Sequence, residues 1–194
     1  MSDFSPAELL ELFQRAQASF TDRVDAVEPG QWEDPALPGW SVADLVAHVV
    51  SEALLVAPLL DGEPHEMLDG RFPDGTEDLL GDDPLTGWET AADAALTAFA
   101  ADRALLHTVH LTRGPTSAAE YIEQLTADLT VHSWDLARAT GGDTDLDPVL
   151  VTASLVVAGR LPMDGIPGVF AAPLDVPPTA SPQTRLLALV GRRG

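Results

Sequence analysis

Apolar residues recur along much of this chain at steps of three and four, the spacing of an amphipathic helix. The first such segment opens with Ser5-Pro6-Ala7-Glu8, which combines a capping serine, a proline suited to the first turn and the glutamate of a capping box. It ends at Pro29-Gly30. A second segment begins at Ser41, with Asp44 three residues later, and Pro58 is expected to limit its extension.

Two more helical patterns follow a long connection. Residues 61–84 are rich in Gly, Asp and Pro, which predicts an irregular connection with a short helical turn at 77–80, long enough to be a lid or a site wall. The third helix is predicted from Asp83-Pro84 to about Asp102. After an alternating stretch at 106–111, the fourth runs from Thr116 or Ser117 to Thr140.

The C-terminal tail differs in composition from the four helical segments. It predicts an apolar helix over 148–160, a Pro- and Gly-rich stretch with a short strand at Val169 to Val176, and a last helix after Ser181-Pro182. Four helices with one long crossover are typical of a bundle. The predicted fold is therefore all-α, a four-helix bundle at residues 1–145 with a small C-terminal extension (helix, short strand, helix) at 146–194.

Composition narrows the functional classes. At 45% hydrophobic residues, the 194-residue chain can bury a substantial core. No uninterrupted apolar run reaches about 18 residues, so no membrane-spanning helix is expected. The N-terminus, MSDFSPAELLELF, has acidic residues and no basic segment, so no signal peptide is expected and a cytoplasmic location is predicted.

The charge balance disfavours anionic partners. The chain has a formal net charge of −21, with 31 acidic residues and 10 basic residues, all of them arginine. Such a chain repels nucleic-acid phosphates and anionic membrane surfaces, so neither partner is expected. Cysteine is absent, so thiol chemistry would need an external thiol, and a metal would have only nitrogen and oxygen ligands.

Polar residues interrupt the inner stripes of two helices. Asp128 and His132 are four residues apart, which places both side chains on one helix face. His48 lies on the inner stripe of the second helix, which can be adjacent or diagonal to the fourth. Two imidazoles and a carboxylate could form a site for Zn²⁺, Fe²⁺, Ni²⁺ or Mn²⁺ with open positions. The alternative is an ordinary polar pair beside a hydrogen-bonded core histidine.

Other residues near these stripes have more than one interpretation. Glu52, four residues after His48, could be a ligand, a residue that orients His48, or a solvated side chain, and we favour the last two. Trp40 could pack on the start of the second helix. Arg138 could pair with Asp135 or hold an anionic substrate near a metal.

Three stretches carry a family resemblance. LPGWSVADLVAHVV, DLTVHSWDLARATG and FAAPLDVPPTASPQTRLLALVGR together resemble the actinobacterial metal-binding proteins grouped with mycothiol-dependent maleylpyruvate isomerase, in the wider DinB-like and YfiT-like superfamily. The resemblance implies a DinB-like four-helix bundle with one divalent metal, usually zinc, held by positions that match His48, Asp128 and His132. It also implies mycothiol as a cosubstrate.

The chain departs from that family in two places. At the position of the acidic ligand, the isomerase carries a glutamate where this chain has Asp128, whose side chain is one methylene shorter. This tail is also shorter than the isomerase's second domain, which contributes a wall to the thiol site. Arg185, Arg192 and Arg193 are candidates to substitute in that role.

The leading functional hypothesis is a thiol-dependent isomerase or S-transferase that acts on an electrophilic small molecule. Two alternatives use the same residues: a hydrolase using metal-bound hydroxide, and a metal-binding or small-molecule-binding protein without catalysis. In a further alternative the bundle holds no metal. DinB-like bundles often pair, so a homodimer is also an open alternative.

Overall fold

Helices dominate the computed structural model, which describes residues 4–68, 70–72, 75–160 and 171–194. Four long helices form the bundle: α1 (Pro6–Asp25), α2 (Val42–Leu60), α4 (Pro84–Ala100) and α5 (Ala118–Thr140). Three shorter helices complete the described part: α3 (Thr76–Leu80), α6 (Pro148–Ala158) and α7 (Pro182–Leu189). The all-α prediction is therefore confirmed.

The helix starts follow the capping signals in the sequence. Ser5 and Ser41 both form complete capping boxes, with Glu8 and Asp44 as their partners. At the start of α2, the Ser41 hydroxyl accepts from the Asp44 N–H at 3.1 Å, and the Asp44 carboxylate accepts from the Ser41 N–H at 3.0 Å. Each box satisfies two backbone donors that the helix itself leaves unpaired.

The packing order of the bundle places α2 beside α5. The most extensive contacts join α1 with α5 and α2 with α4, and further contacts join α1 with α4 and α2 with α5. The consecutive helices α1 and α2 therefore lie across the bundle from each other. The sequence left open whether the His48 helix and the His132 helix were adjacent, and the structure shows that they are.

Large aromatic side chains fill the core between α1 and α4. Phe20 packs edge-on against Trp88, with ring centroids 5.0 Å apart, and Phe13 packs edge-on against Phe99 at 5.4 Å. The Trp88 indole N–H donates to the Thr21 hydroxyl at 2.8 Å, so its polar atom is satisfied. This core fixes the bundle from the side away from the α2–α5 contact.

Two short antiparallel hairpins lie in the connections. β1 (Pro35–Leu37) pairs with β2 (Trp40–Ser41), and β3 (Thr108–Leu111) pairs with β4 (Gly114–Ser117). The sequence predicted the second as an extended segment but interpreted residues 29–39 as a loop. In the first hairpin Gly39 has a positive φ of 82°, which lets the chain turn directly into α2.

The long connection forms a wall beside α2. The predicted helical turn is confirmed as α3, and the Thr76 hydroxyl donates to the Asp44 carboxylate at 2.7 Å. Pro58 was expected to limit the extension of α2, and the helix continues past it by two residues, to Leu60. Pro58 lies in the last turn, where its missing N–H removes only one hydrogen bond, and the Glu63 N–H still donates to the Pro58 carbonyl.

By length and composition, α2 is one helix in the described residues that could cross a membrane, although the sequence showed no uninterrupted apolar run of that length. Polar residues within the helix explain why a simple run was not seen. Its most apolar window is 56% buried inside the protein, and the core helix of a bundle has the same length and apolar composition as a membrane-spanning helix. The absence of a membrane partner stays a prediction.

The C-terminal helices pack on α5 and on each other. Their contact forms a second apolar cluster: Val131, Trp134, Leu146, Val151, Ala158, Leu186, Leu187 and Val190. Of the strand predicted at 169–176, the first two positions lie outside the described residues, and 171–176 contain no strand. The Leu174 N–H donates instead to the Ala188 carbonyl of α7, so the segment pairs with a helix end. The division at 145/146 stays a prediction.

We expect Phe20→Ala to lower the free energy of unfolding by about 3 to 5 kcal/mol, because it removes a fully buried ring and leaves a cavity beside Trp88. Urea unfolding followed by tryptophan fluorescence measures the change. Leu106→Ala is the control, since Leu106 is 69% exposed, and it should change stability by less than about 0.5 kcal/mol. Equal effects of the two substitutions would contradict this account of the core.

Candidate metal centre

Three side chains from two helices meet where α2 packs on α5. His48 comes from α2, and Asp128 and His132 come from consecutive turns of α5. One donor atom of each lies within 4.8 Å of the other two. The imidazole rings of His48 and His132 meet edge-on, with centroids 5.4 Å apart. The structure thus brings together the three residues that the sequence singled out as ligand candidates.

The spacing of the donor atoms suits a small cation. Asp128 Oδ1 and His132 Nε2 are 3.4 Å apart, which is long for a hydrogen bond. Two ligand atoms that each lie about 2.1 Å from one ion, at the tetrahedral angle, are themselves roughly 3.4 Å apart. The donor set, two nitrogens and one oxygen, suits a divalent metal with an open coordination position.

A buried carboxylate holds the other nitrogen of His132. His132 Nδ1 and Asp135 Oδ2 are 3.1 Å apart, and Asp135 is 0% exposed. The Nδ1–H donates to this carboxylate, which leaves Nε2 facing Asp128. Metal-binding histidines commonly donate their second N–H to a carboxylate in this way. The arrangement is therefore one that a metal at Nε2 would require.

Asp135 was missed as a site residue by sequence reasoning. The sequence suggested that it could pair with Arg138, but its partners are His132 and Arg192. The available signal was local, because His132 and Asp135 are three residues apart on one helix and such side chains are neighbours. The contact between Arg192 and Asp135 had no comparable signal, since the two residues are 57 positions apart; the sequence offered Arg192 only as one of three tail arginines that could substitute for the isomerase's second domain.

The charges of the site are strongly coupled. Burial lowers the pKa of His132, but the carboxylates of Asp128 and Asp135 outweigh burial and raise it to about 9. Burial raises the pKa of Asp128, but His132, together with His48 and Arg192, outweighs burial and the net shift is downward. Burial lowers the pKa of His48. Without a metal, the site therefore has a charged His132–Asp128 pair beside a neutral His48.

Glu52 and Tyr121 extend the polar cluster. Burial, followed by the charge of Asp128, raises the pKa of Glu52 to about 7. Tyr121 is 4% exposed, and its hydroxyl has no hydrogen-bond partner among the described residues. Its pKa is raised by burial and then by Glu52 and Asp128. Both groups thus lie within electrostatic range of the candidate ligands, one on each helix.

The other sequence candidates occupy different positions. The Trp40 ring lies 5.0 Å from the His48 ring, measured between centroids, so it packs directly on a candidate ligand. Arg138 donates to the Ala36 carbonyl at 3.2 Å and its guanidinium lies over the Trp134 ring. Arg185 is exposed on α7. Of the arginines in the tail, Arg192 is the one shown in contact with the polar cluster in the described residues.

A cavity of about 480 Å³ opens beside His48. Trp40, Asp44 and Ser51 line it from the side of α2, and Thr76 and Leu79 line it from α3. The predicted role of the long connection as a site wall is consistent with this position. The cavity offers room for a small molecule next to the candidate ligands.

The sequence pattern of this region matches a known family. Residues 34–137 match the family described as the mycothiol maleylpyruvate isomerase N-terminal domain. The chain belongs to this family. The matched segment contains His48, Asp128, His132 and Asp135, and it ends before the extension that carries Arg192.

Two relatives resemble almost the whole chain. They are uncharacterised proteins from two strains of Mycobacterium tuberculosis, each 33% identical over 183 residues, which span 92% of this chain and 94% of theirs. Their similarity therefore includes most of the C-terminal extension as well as the bundle.

Solved structures confirm the fold. The crystal structure of the mycothiol-dependent maleylpyruvate isomerase matches with a TM-score of 0.64 and 20% identity, over 79% of this chain and 70% of that chain. A histidine-to-alanine mutant of that isomerase matches with a TM-score of 0.62 and 18% identity, over the same shares. At this identity the matches show a DinB-like fold and carry no further conclusion about activity.

We expect Glu52→Gln to stabilise the metal-free protein above pH 7. An acid whose folded-state pKa is raised, here from 4.5 to about 7, makes the free energy of unfolding fall as the pH rises through that window. The variant should match the wild type near pH 4.5 and exceed its stability at pH 8 by about 1 to 3 kcal/mol. Urea unfolding of the chelator-treated wild type and variant, between pH 4.5 and pH 8, measures the two stabilities.

The titration of His132 changes the stability in the same direction, since its raised pKa makes the free energy of unfolding fall between about pH 6.5 and 9. His132 is present in both proteins, so its contribution cancels when the two stabilities are compared. Glu89→Gln, at an exposed position of α4, is the control and should keep the wild-type profile. A Glu52→Gln profile parallel to the wild type would show that this carboxyl is not perturbed.

Proposed function

We propose that this protein is a metal-dependent enzyme of the thiol-dependent isomerase or S-transferase type, with His48, Asp128 and His132 as ligands of one divalent metal. The observation that carries the proposal is the meeting of these three donors at the α2–α5 contact, with Asp135 fixing the second nitrogen of His132. Family membership supports the thiol, since the family is described by a mycothiol-dependent isomerase.

Zinc is the proposed metal. Two imidazole nitrogens and one carboxylate oxygen suit Zn²⁺, and the 3.4 Å separation of Asp128 Oδ1 and His132 Nε2 suits its tetrahedral geometry. Three protein ligands leave one position for a small molecule. A divalent metal held there would lower the pKa of a bound thiol, which would favour the thiolate at neutral pH. Mycothiol is the proposed cosubstrate.

The residues around the site would prepare this chemistry. Asp135 keeps the proton of His132 on Nδ1, so that Nε2 is free for ligation. Glu52, one turn after His48, is the proposed acceptor of the proton that the thiol releases, because a carboxylate whose pKa is raised to about 7 is a stronger base than an ordinary glutamate.

The cavity beside His48 is the proposed place of the electrophilic substrate. Its wall contains the Trp40 ring, which also packs on His48, and the hydroxyls of Ser51 and Thr76. A thiolate formed at the ligand cluster would attack an electrophilic carbon held in this space. Addition followed by elimination gives isomerisation, and addition alone gives an S-conjugate. A cytoplasmic location and the absence of nucleic-acid partners remain predictions from the sequence.

We expect the purified wild-type protein to contain about one zinc ion per chain and the ligand variants His48→Ala, Asp128→Ala and His132→Ala to lose most of it. Elemental analysis after dialysis against a weak chelator measures the content. His110→Ala is the matched control, because His110 is exposed on β3 and should retain the metal. Full zinc occupancy in His132→Ala would refute the ligand set.

We expect mycothiol to raise the melting temperature of the zinc-loaded protein. At ten to a hundred times its Kd, a ligand that binds only the folded state stabilises by about 1.4 to 2.7 kcal/mol. The shift should vanish in the chelator-treated protein and in His48→Ala. If millimolar mycothiol leaves the melting temperature of the zinc-loaded protein unchanged, and the protein hydrolyses a simple activated ester without any thiol, the hydrolase is favoured instead.

A further inference from the structure

Arg192 lies just after α7 and reaches across to α5. Its Nη2 donates to Asp135 Oδ2 at 2.8 Å and its Nε donates to Asp135 Oδ1 at 3.3 Å. Its Nη1 donates to the Val190 carbonyl at 2.9 Å. The guanidinium thus binds both oxygens of one carboxylate while its third group is held by the tail itself. A two-point contact of this kind fixes the plane of a carboxylate, which a single bond would leave free to rotate.

The end of α7 is shaped to direct Arg192 inward. Gly191 has a positive φ of 76°, and the Arg192 N–H donates back to the Leu187 carbonyl at 2.7 Å. A side chain at Gly191 would overlap that of Ala171, so the turn is also closely packed from the outside. The adjacent Arg193 is exposed. The backbone therefore presents one of two neighbouring arginines to α5 and leaves the other at the surface.

Asp135 transmits this contact to His132. The carboxylate is completely buried, and the oxygen that accepts from Arg192 Nη2 is the same Oδ2 that pairs with His132 Nδ1. With the carboxylate plane fixed, the direction of the Nδ1–H bond is fixed, and with it the direction in which Nε2 points. Without Arg192, the carboxylate would be buried with one partner fewer and could turn away from the imidazole.

We propose that Arg192 is a positioning residue of the metal centre: through Asp135, it holds His132 in the orientation that ligation requires. The C-terminal extension would then complete a site whose ligands all lie in the bundle. This inference rests on the metal centre of the proposed function. It assigns Arg192 no contact with metal or substrate.

The test is the Zn²⁺ affinity of the whole chain, measured by competition with a chromophoric chelator, for five variants: Arg192→Ala, Arg192→Lys, Arg193→Ala, Asp135→Asn and the double variant Asp135→Asn with Arg192→Ala. We expect Kd to rise about tenfold for Arg192→Ala and ten- to a hundredfold for Asp135→Asn. Arg192→Lys should recover part of the loss, since lysine supplies the charge without the two-point contact. Arg193→Ala should stay within twofold of wild type.

The double variant distinguishes positioning from a separate effect on stability. Because Arg192 is proposed to position His132 through Asp135, and its own positive charge does not favour a cation, removing both should raise Kd no more than Asp135→Asn alone. The visible absorption spectrum of the Co²⁺-loaded protein reports the coordination geometry directly. We expect Arg192→Ala to change this spectrum and Arg193→Ala to leave it unchanged, which a general loosening of the tail would not produce.

The outcomes separate this proposal from the one on which it rests. If the wild type binds no Zn²⁺, the metal centre is refuted and the positioning role falls with it. If the wild type binds and Arg192→Ala binds equally well with an unchanged Co²⁺ spectrum, only the positioning role is refuted. If Arg192→Ala does not fold, Arg192→Lys and Arg192→Gln replace it, and wild-type affinity in either, or failure of all three to fold, overturns the proposal.

Discussion

The compensation of buried charge on one face of α5 is the constraint around which this structure is organised. Asp128, His132 and Asp135 lie on successive positions of that face, and Asp135 has no exposed surface. A buried charge without a partner costs about 3 to 5 kcal/mol. The chain meets this cost by alternating the signs, with the imidazolium of His132 between two carboxylates and the guanidinium of Arg192 on the outer one. The order of the charges leaves one nitrogen of His132 directed at Asp128 and His48.

The rest of the bundle makes this arrangement rigid. The packing of α2 against both α4 and α5 places His48 opposite His132, and the aromatic core between α1 and α4 supports the bundle from the other side. Donors carried by helices are held more precisely than donors carried by loops. The apolar cluster that packs α6 and α7 onto α5 also determines where the tail ends, and thus where Arg192 can reach.

The sequence predicted the parts of this structure that are encoded locally. Capping boxes at Ser5 and Ser41 and the apolar period located the long helices, and the four-residue spacing of Asp128 and His132 identified one side of the site. Features that depend on distant contacts were not predictable in this way. The pairing of Arg192 with Asp135 joins residues far apart in the chain, and neither position has a pattern that points to the other. In the described part of the strand expected at 169–176, residues 171–176, no strand forms for a related reason, since an extended segment becomes a strand only where a partner strand is available.

The hydrogen bond between Thr76 and Asp44 links the cavity wall to the first turn of α2. Asp44 uses the same carboxylate to complete the helix cap, so the wall and the cap share one anchor. A bound molecule large enough to push α3 outward would break the Thr76–Asp44 hydrogen bond. The cap of the helix that carries His48 would then lose a contact that holds the Asp44 carboxylate in place. The size of molecule that the cavity can bind is therefore coupled to the stability of the N-terminal cap of α2. A ligand that fits without displacing Thr76 would leave the position of His48 unchanged.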